Sequence, residues 1–255
     1  MQINFLGTGT SQGVPVITCE CPVCKSVDFR DKRLRTAIHI SVNGHSIFID
    51  AGPDFRQQAL RAKIAKLDTI LFTHEHKDHT AGLDDIRAYF FAQGLKDIPV
   101  YATERVKAEL KKAYGYIFQE KKYPGVPSII LESIEKDRDF YFKDQLIQPI
   151  EVMHGKLPIM GFKIENMAYI TDANFIADDQ KEKLRNLDVL IINALHHKKH
   201  HSHFTLEEAL EVIEELSPKK AYLTHISHQM GKHIDVQKSL PDNVFIAFDG
   251  LILNI

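Results

Sequence analysis

Cys19, Cys21 and Cys24 fall in the hexapeptide CECPVC and are the only cysteines in the chain. Three thiols in six residues match three ligands of a tetrahedral ion, and a closed site of that kind needs a fourth. Small buried thiols are the alternative reading. Structural cysteines of that type are normally scattered over strands rather than crowded into a turn with Pro22, and an odd, clustered set makes no disulfide framework. In a reducing compartment they read as metal ligands. A second cluster is Thr73-His74-Glu75-His76-Lys77-Asp78-His79, four potential ligands directly after the apolar run Ile70-Leu71-Phe72. Alternate side chains of a loop at a strand end point to one side, so His74 and His76 reach one cation while Asp78 and His79 reach a neighbour. Imidazole and carboxylate suit zinc, manganese or iron, and an open position leaves room for water. A third group, His196 to His203, holds five histidines in eight residues; for most of them a solvated loop is sufficient explanation. The loop GTGTSQG, Gly7 to Gly13, lacks the Gly-Lys-Ser/Thr of a P-loop and the spacing of a dinucleotide fingerprint, so no ligand is assigned to it.

These residues need strands to hold them. Strand patterns run over Ile3–Gly7, Thr36–Val42 and Ser46–Gly52, the last two joined as a hairpin by Asn43-Gly44. Asp68–His76 reads as a buried strand running into the histidine loop. Helical periodicity covers Gly82–Gly94 and Thr103–Phe118, with Thr103 as N-cap. Further strands are predicted at 129–133, 147–152, 161–165, 167–171, 188–195 and 220–227, and helices at 178–186 and 205–216. The segment VFIAFDGLILNI reads as a closing hairpin turned at Asp249-Gly250. Strands mixed with helices throughout suggest an α/β sandwich. No linker or low-complexity tract interrupts the sequence, which predicts one domain over residues 1–255.

Composition narrows the classes. At 255 residues the chain is long enough for a substantial core, and its formal net charge of −2 offers no general polyanion surface. A nucleic-acid partner is therefore not expected. The start MQINFLGTGTSQG lacks the basic and long apolar regions of a secretory signal, and no run approaches the roughly 20 apolar residues of a membrane helix. The expected setting is the cytoplasm, with no membrane partner.

With the histidine loop in place, the sequence resembles the metallo-β-lactamase superfamily of binuclear metal hydrolases over nearly its whole length. The resemblance implies an αββα sandwich, two mixed sheets face to face with helices outside and metals at one edge. It implies His74, His76 and His154 at a first metal, Asp78, His79 and His225 at a second, and Asp172 bridging both. Asp50 matches an aspartate that supports the histidine loop. GTGTSQGVP, the cysteine loop, DKRLRT and THISH are similar to the branch that contains the cyclic phosphodiesterase of bacterial phosphonate breakdown. In that branch the second histidine of THISH, His228 here, joins the cysteines at a structural zinc, which supplies the missing fourth ligand. A homodimer is that branch's habit.

The implied chemistry is hydrolysis of a small cyclic phosphodiester such as 5-phosphoribosyl 1,2-cyclic phosphate. Two divalent metals, manganese or zinc, would activate water and stabilise charge in an in-line displacement, with Asp78 and Asp172 holding them at the reacting atoms. His203 lies 22 residues before His225, the spacing of the family's general acid, and would protonate the leaving oxygen; His200 is a second candidate. The intact His-x-His around Glu75 favours hydrolysis over the redox chemistry of di-iron relatives. Arg33, Arg35 and Lys156 are candidates for a second substrate phosphate, or are surface charges. Two other readings compete: a tRNA 3′-end endonuclease, which usually carries a long Gly- and Pro-rich arm not seen here, and a non-catalytic zinc protein.

Overall fold

The computed structural model describes residues 1–121 and 123–255. Among them the strands run as β1 (Gln2–Gly7), β2 (Ala37–Val42), β3 (His45–Ile49), β4 (Thr69–Leu71), β5 (Ile98–Ala102), β6 (Ile129–Ser133), β7 (Phe140–Phe142), β8 (Gln145–His154), β9 (Leu157–Ile164), β10 (Met167–Ile170), β11 (Val189–Asn193), β12 (Lys220–Thr224), β13 (Val244–Ile246) and β14 (Ile252–Asn254). The helices are α1 (Phe55–Arg61), α2 (Lys77–Thr80), α3 (Arg87–Ala92), α4 (Glu104–Ala113), α5 (Asp178–Lys183), α6 (Leu206–Leu216) and α7 (His233–Ser239). The strands form two sheets of seven, ordered β14-β1-β2-β3-β4-β5-β6 and β13-β12-β11-β10-β9-β8-β7. Each sheet is antiparallel in one half and parallel in the other, β3 through β6 in the first and β10 through β13 in the second.

Side chains alternate across each strand, which explains how the layers stack. In β11, Val189 and Ile191 join Phe5, Ile38 and Phe162 in a core between the two sheets. Leu190 and Ile192 point the other way and pack under Ala209, Val212 and Ile213 of α6 and Val236 of α7. On the far face of the first sheet, Phe48, Ile70 and Val100 meet Phe55 of α1 and Val106 and Leu110 of α4. Each such fully buried side chain contributes about 1.5–3 kcal/mol. The result is the expected helix, sheet, sheet, helix sandwich. No helix among the described residues is long and apolar enough to cross a membrane.

Local rules explain most element ends. Asn43 and Gly44 both take positive φ, 49° and 75°, as a two-residue hairpin requires. Thr103 caps α4 by accepting from Val106, and Thr205 with Glu208 forms a full capping box on α6. Several expectations need correction. The segment Gly82–Gly94 is a 3-10 turn at Leu83–Ile86 followed by the short α3, with the Gly82 N–H held by the Ala51 carbonyl ahead of the turn. The helix from Thr103 ends at Ala113, before Gly115. The closing hairpin does not form: β13 pairs with β12 in the second sheet, whereas β14 pairs with β1 in the first. Asp249 draws the turn between the sheets by accepting from Thr8 N (2.9 Å), Thr8 Oγ1 (2.8 Å) and Leu34 N (2.8 Å). Helices α1 and α7 were not anticipated.

Candidate metal centre

The predicted residues leave their strands on one edge of the sandwich. β8, β10, β11 and β12 run in the same sense, so His154, Asp172, the His196–His203 loop and His225 all emerge at carboxyl ends, where ligands of parallel sheets usually bind. β3 and β4 deliver Asp50 and the histidine loop opposite them. Asp50, Asp172 and His225 each follow a strand and each hold positive φ, 67°, 60° and 55°. Such backbone is uncommon outside glycine and turns a side chain sharply off the line of its strand.

Hydrogen bonds fix the imidazoles from behind. His79 Nδ1 donates to Asp50 at 2.7 Å, and Thr73 donates to the same carboxylate from both N (2.9 Å) and Oγ1 (2.9 Å). His74 Nδ1 donates to Thr73 Oγ1 at 3.0 Å, and His154 Nδ1 donates to the Ser202 carbonyl at 3.0 Å. Each ring is thereby left with Nε2 toward the centre. His74 Nε2 lies 3.1 Å from His76 Nδ1, and these two with His154 form one potential ligand group. His79 Nε2 lies 3.3 Å from both Asp78 and Asp172, and His225 Nδ1 lies 3.2 Å from Asp172. Both of those nitrogens are buried without a hydrogen-bond partner, which a native interior rarely tolerates and which a bound cation would resolve. Asp172 meets both groups, sharing one with His74 and His79 and another with His154 and His203.

The electrostatics agree. Burial would raise the Asp172 carboxyl, but the imidazoles of His225 and His79 outweigh it and hold it well below the carboxylate range. Burial likewise opposes ionisation of Asp78, and His79 overcomes it. Burial would lower His79 too, yet Asp172, Asp50 and Asp78 drive it well above the ordinary histidine value. His74, by contrast, is pushed well below by burial and by His79, and burial takes His225 down to about 4. The neutral imidazoles of His74 and His225 and the anionic Asp78 and Asp172 suit a multivalent cation, which would replace the proton that those carboxylates hold on His79, and the donor set fits divalent zinc or manganese.

The other sequence candidates separate clearly. His203 Nε2 donates to Asp172 at 3.1 Å, and its ring stacks on His225 with centroids 4.9 Å apart. Its Nδ1 contacts Ser202 Oγ (3.0 Å) and His200 Nδ1 (3.2 Å), so His200 stands behind His203 rather than at the centre. His228 sits across the loop from His225 with Nδ1 at 3.2, 3.4 and 3.6 Å from Cys19, Cys21 and Cys24. These four form one closed group, and the backbone N–H of Cys24 draws the Cys21 thiol down to about 6. Glu75 turns away to pair with Arg105 at 3.0 Å. Arg33 is not available to a substrate: it is buried, donating to Thr8 Oγ1 and the Ala247 carbonyl. Arg35 is committed to Asp54 at 3.0 Å and to the Ser11 carbonyl at 3.1 Å. Lys156 is exposed in the turn after His154.

Two supporting residues were missed. Asn193, read only as part of a strand, clamps the backbone after Asp172 by accepting from Ala173 N (2.7 Å) and donating to its carbonyl (2.9 Å). Asn174 accepts from Gly155 N at 2.7 Å and so ties the turn after His154 to the Asp172 loop. Asparagine at strand ends has many uses, and nothing in the sequence marks these two.

Comparison with known proteins points the same way. A model of the beta-lactamase superfamily domain matches residues 45–226. The chain is 41% identical, over 98% of its length, to a Porphyromonas gingivalis protein named octanoyltransferase, and it spans about half (51%) of that protein's length. It is 26% identical to ribonuclease Z of Clostridium kluyveri, covering 100% of the chain and 98% of that enzyme. The crystal structure of a new diphosphatase from the PhnP family is similar to it at a TM-score of 0.92 and 39% identity, covering 99% of this chain and 96% of that one.

Proposed function

Because this chain belongs to the beta-lactamase superfamily and is a metal-dependent hydrolase, we propose that it hydrolyses a small phosphodiester at the edge described above. In this reading His74, His76 and His154 hold one divalent metal, Asp78, His79 and His225 hold another, and Asp172 serves both. The observation that carries it is the convergence of buried, unpartnered His79 Nε2 and His225 Nδ1 on Asp172, with His203 Nε2 against the same carboxylate. When bound, such metals supply Lewis acidity and lower the pKa of water. The chain's own part is orientation and proton transfer. Asp50 and the Ser202 carbonyl hold His79 and His154 in one tautomer. His203 Nε2 faces the centre and gives its proton to the leaving oxygen, while Ser202 and His200 hold the ring at Nδ1. Cys19, Cys21, Cys24 and His228 hold a structural zinc with no vacancy for substrate. A ribose cyclic phosphate remains the leading substrate type.

The 39% identical diphosphatase supports a second reading, hydrolysis of a diphosphate bond by the same centre. Ribonuclease Z supports a third, and a tRNA-binding salt series separates it because phosphate contacts weaken steeply with salt. The deciding assay uses bis(p-nitrophenyl) phosphate, its monoester and a dialkyl diphosphate, after chelation and re-addition of manganese or zinc. We expect diester turnover that is lost in Asp172→Ala and falls about 10²–10⁴-fold in His203→Ala at unchanged metal content. Protein with a full metal complement and no diester turnover would sink the proposal. Acyl esters and thioesters would then be assayed, a choice the Porphyromonas name reinforces.

A further inference from the structure

Arg105 stands in the first turn of α4, where a cation opposes the helix dipole, so it does not serve its own helix. Its side chain leaves α4 for two other segments. Nε lies 3.0 and 3.1 Å from the two carboxylate oxygens of Glu75, the residue between His74 and His76. Nη2 donates to the Pro158 carbonyl at 2.7 Å. Pro158 lies in β9 opposite Met153, the neighbour of His154 in β8. One guanidinium thus joins the segment that carries His74 and His76 to the hairpin that carries His154. The first follows β4 of one sheet and the second belongs to the other sheet. The base of this bridge is firm. Thr103 caps α4, and Val106 and Leu110 sit in the core on the first sheet. Tyr114, at the far end of the helix, donates to the Thr80 carbonyl at the end of α2 at 2.9 Å. The side chains of Arg105 and Glu75 are 37% and 18% exposed, and an ion pair of that kind adds little to global stability.

We infer that Arg105 is a positioning residue for the first metal. By holding Glu75 and the Pro158 carbonyl together it fixes the spacing between the His74–His76 pair and His154, and it does so without touching the ion. Side chains alternate along an extended chain, so the grip on Glu75 also sets the direction of the imidazoles on either side. Without Arg105 the mostly buried Glu75 carboxylate would turn toward water, and the backbone it shares with His74 and His76 would turn with it. The second group stands on a different frame. His79 is held by Asp50, both fully buried, and His225 meets Asp172. Among the described residues Arg105 bonds to neither part of that frame. Its loss should therefore weaken one ion of the pair and spare the other.

The inference rests on the metal-centre reading and is tested apart from it. Zinc is titrated against a competing chelator into the wild type, Arg105→Ala, Arg105→Lys and Glu75→Gln. In Arg105→Ala one edge ion should be held about tenfold more weakly, the low end for loss of a supporting partner, while the other edge ion and the cysteine-cluster ion stay within about threefold. Arg105→Lys keeps the charge but loses the fork, and Glu75→Gln keeps an acceptor but loses the charge, so both should fall between Arg105→Ala and the wild type. Diester hydrolysis by Arg105→Ala should recover as zinc is raised. Unchanged affinities, or equal weakening of both edge ions, overturn the inference. Hydrogen exchange on protein stripped of the edge metals gives a second readout. Exchange in Arg105→Ala should quicken in residues 73–77 and 154–160 together, and quickening in neither, or in α4 alone, overturns the bridge. A wild type that takes no ion outside the cysteine cluster would mean failure of the metal-centre reading, and the exchange result would still decide whether Arg105 joins the two segments.

Discussion

Asp50 never reaches the centre directly, yet three groups depend on it: Thr73 N, Thr73 Oγ1 and His79 Nδ1 all donate to its carboxylate. It is fully buried, and burial raises its pKa against the pull of His79 and those donors. Its φ of 67° is a conformation that asparagine also accepts. Asp50→Asn should therefore fold with its carboxamide oxygen toward Thr73 N, which sets its NH2 against His79 Nδ1 and removes both the charge and the acceptor behind that ring. Metal affinity measured by chelator competition is expected to drop about 10–100-fold, the usual effect of removing such a partner. Unchanged affinity would mean that His79 needs neither the charge nor the acceptor behind it to hold metal.

At the scale of elements, the histidine loop and α2 are held by close backbone packing against the segment after β3. A Cβ on Gly52 would lie 1.9 Å from the Asp78 carbonyl oxygen, and one on Gly82 would lie 2.0 Å from the Gly52 carbonyl oxygen. Neither obstacle is a flexible side chain, so the backbone itself would have to shift. Gly52→Ala is expected to cost about 1–3 kcal/mol or more in denaturant unfolding. It should also displace Asp78 and His79, lowering metal content more than an alanine on the open turn glycine Gly44, which meets nothing within 4 Å. Equal metal content in the two variants would show that the loop tolerates the shift.

Across the whole molecule, the cysteine cluster joins a loop after the first strand to one after the twelfth, Cys19 to His228 being 209 residues apart. Loss of a ligand should loosen residues 16–31 and the loop after β12 without emptying the metal pair. Cys21→Ser is expected to lower Tm by several degrees and to expose the N-terminal loop to protease. Metal-dependent hydrolysis should survive at a reduced rate, because His225 shares its loop with His228 but contacts Asp172 instead. Complete loss of hydrolysis with the catalytic metals retained would give the cluster a larger role than a staple.

The sequence by itself determined the candidate ligand types, their order and most strands, because strand periodicity and His/Asp/Cys spacing are local signals. His74, His76, Asp78 and His79 were legible as candidates on that basis alone, and His154, Asp172, His203, His225 and His228 were candidates through resemblance. Only the tertiary structure decided what depends on contacts between distant segments. It buried Arg33, turned Glu75 toward Arg105, placed His200 behind His203 and sent β13 and β14 to different sheets. It also gave Asn193 and Asn174 their roles and set the GTGTSQG loop against a cavity beside His203. The physical reason is common to all of these. A buried polar group takes whichever partner the fold brings within about 3 Å, and that partner is usually far away in the chain.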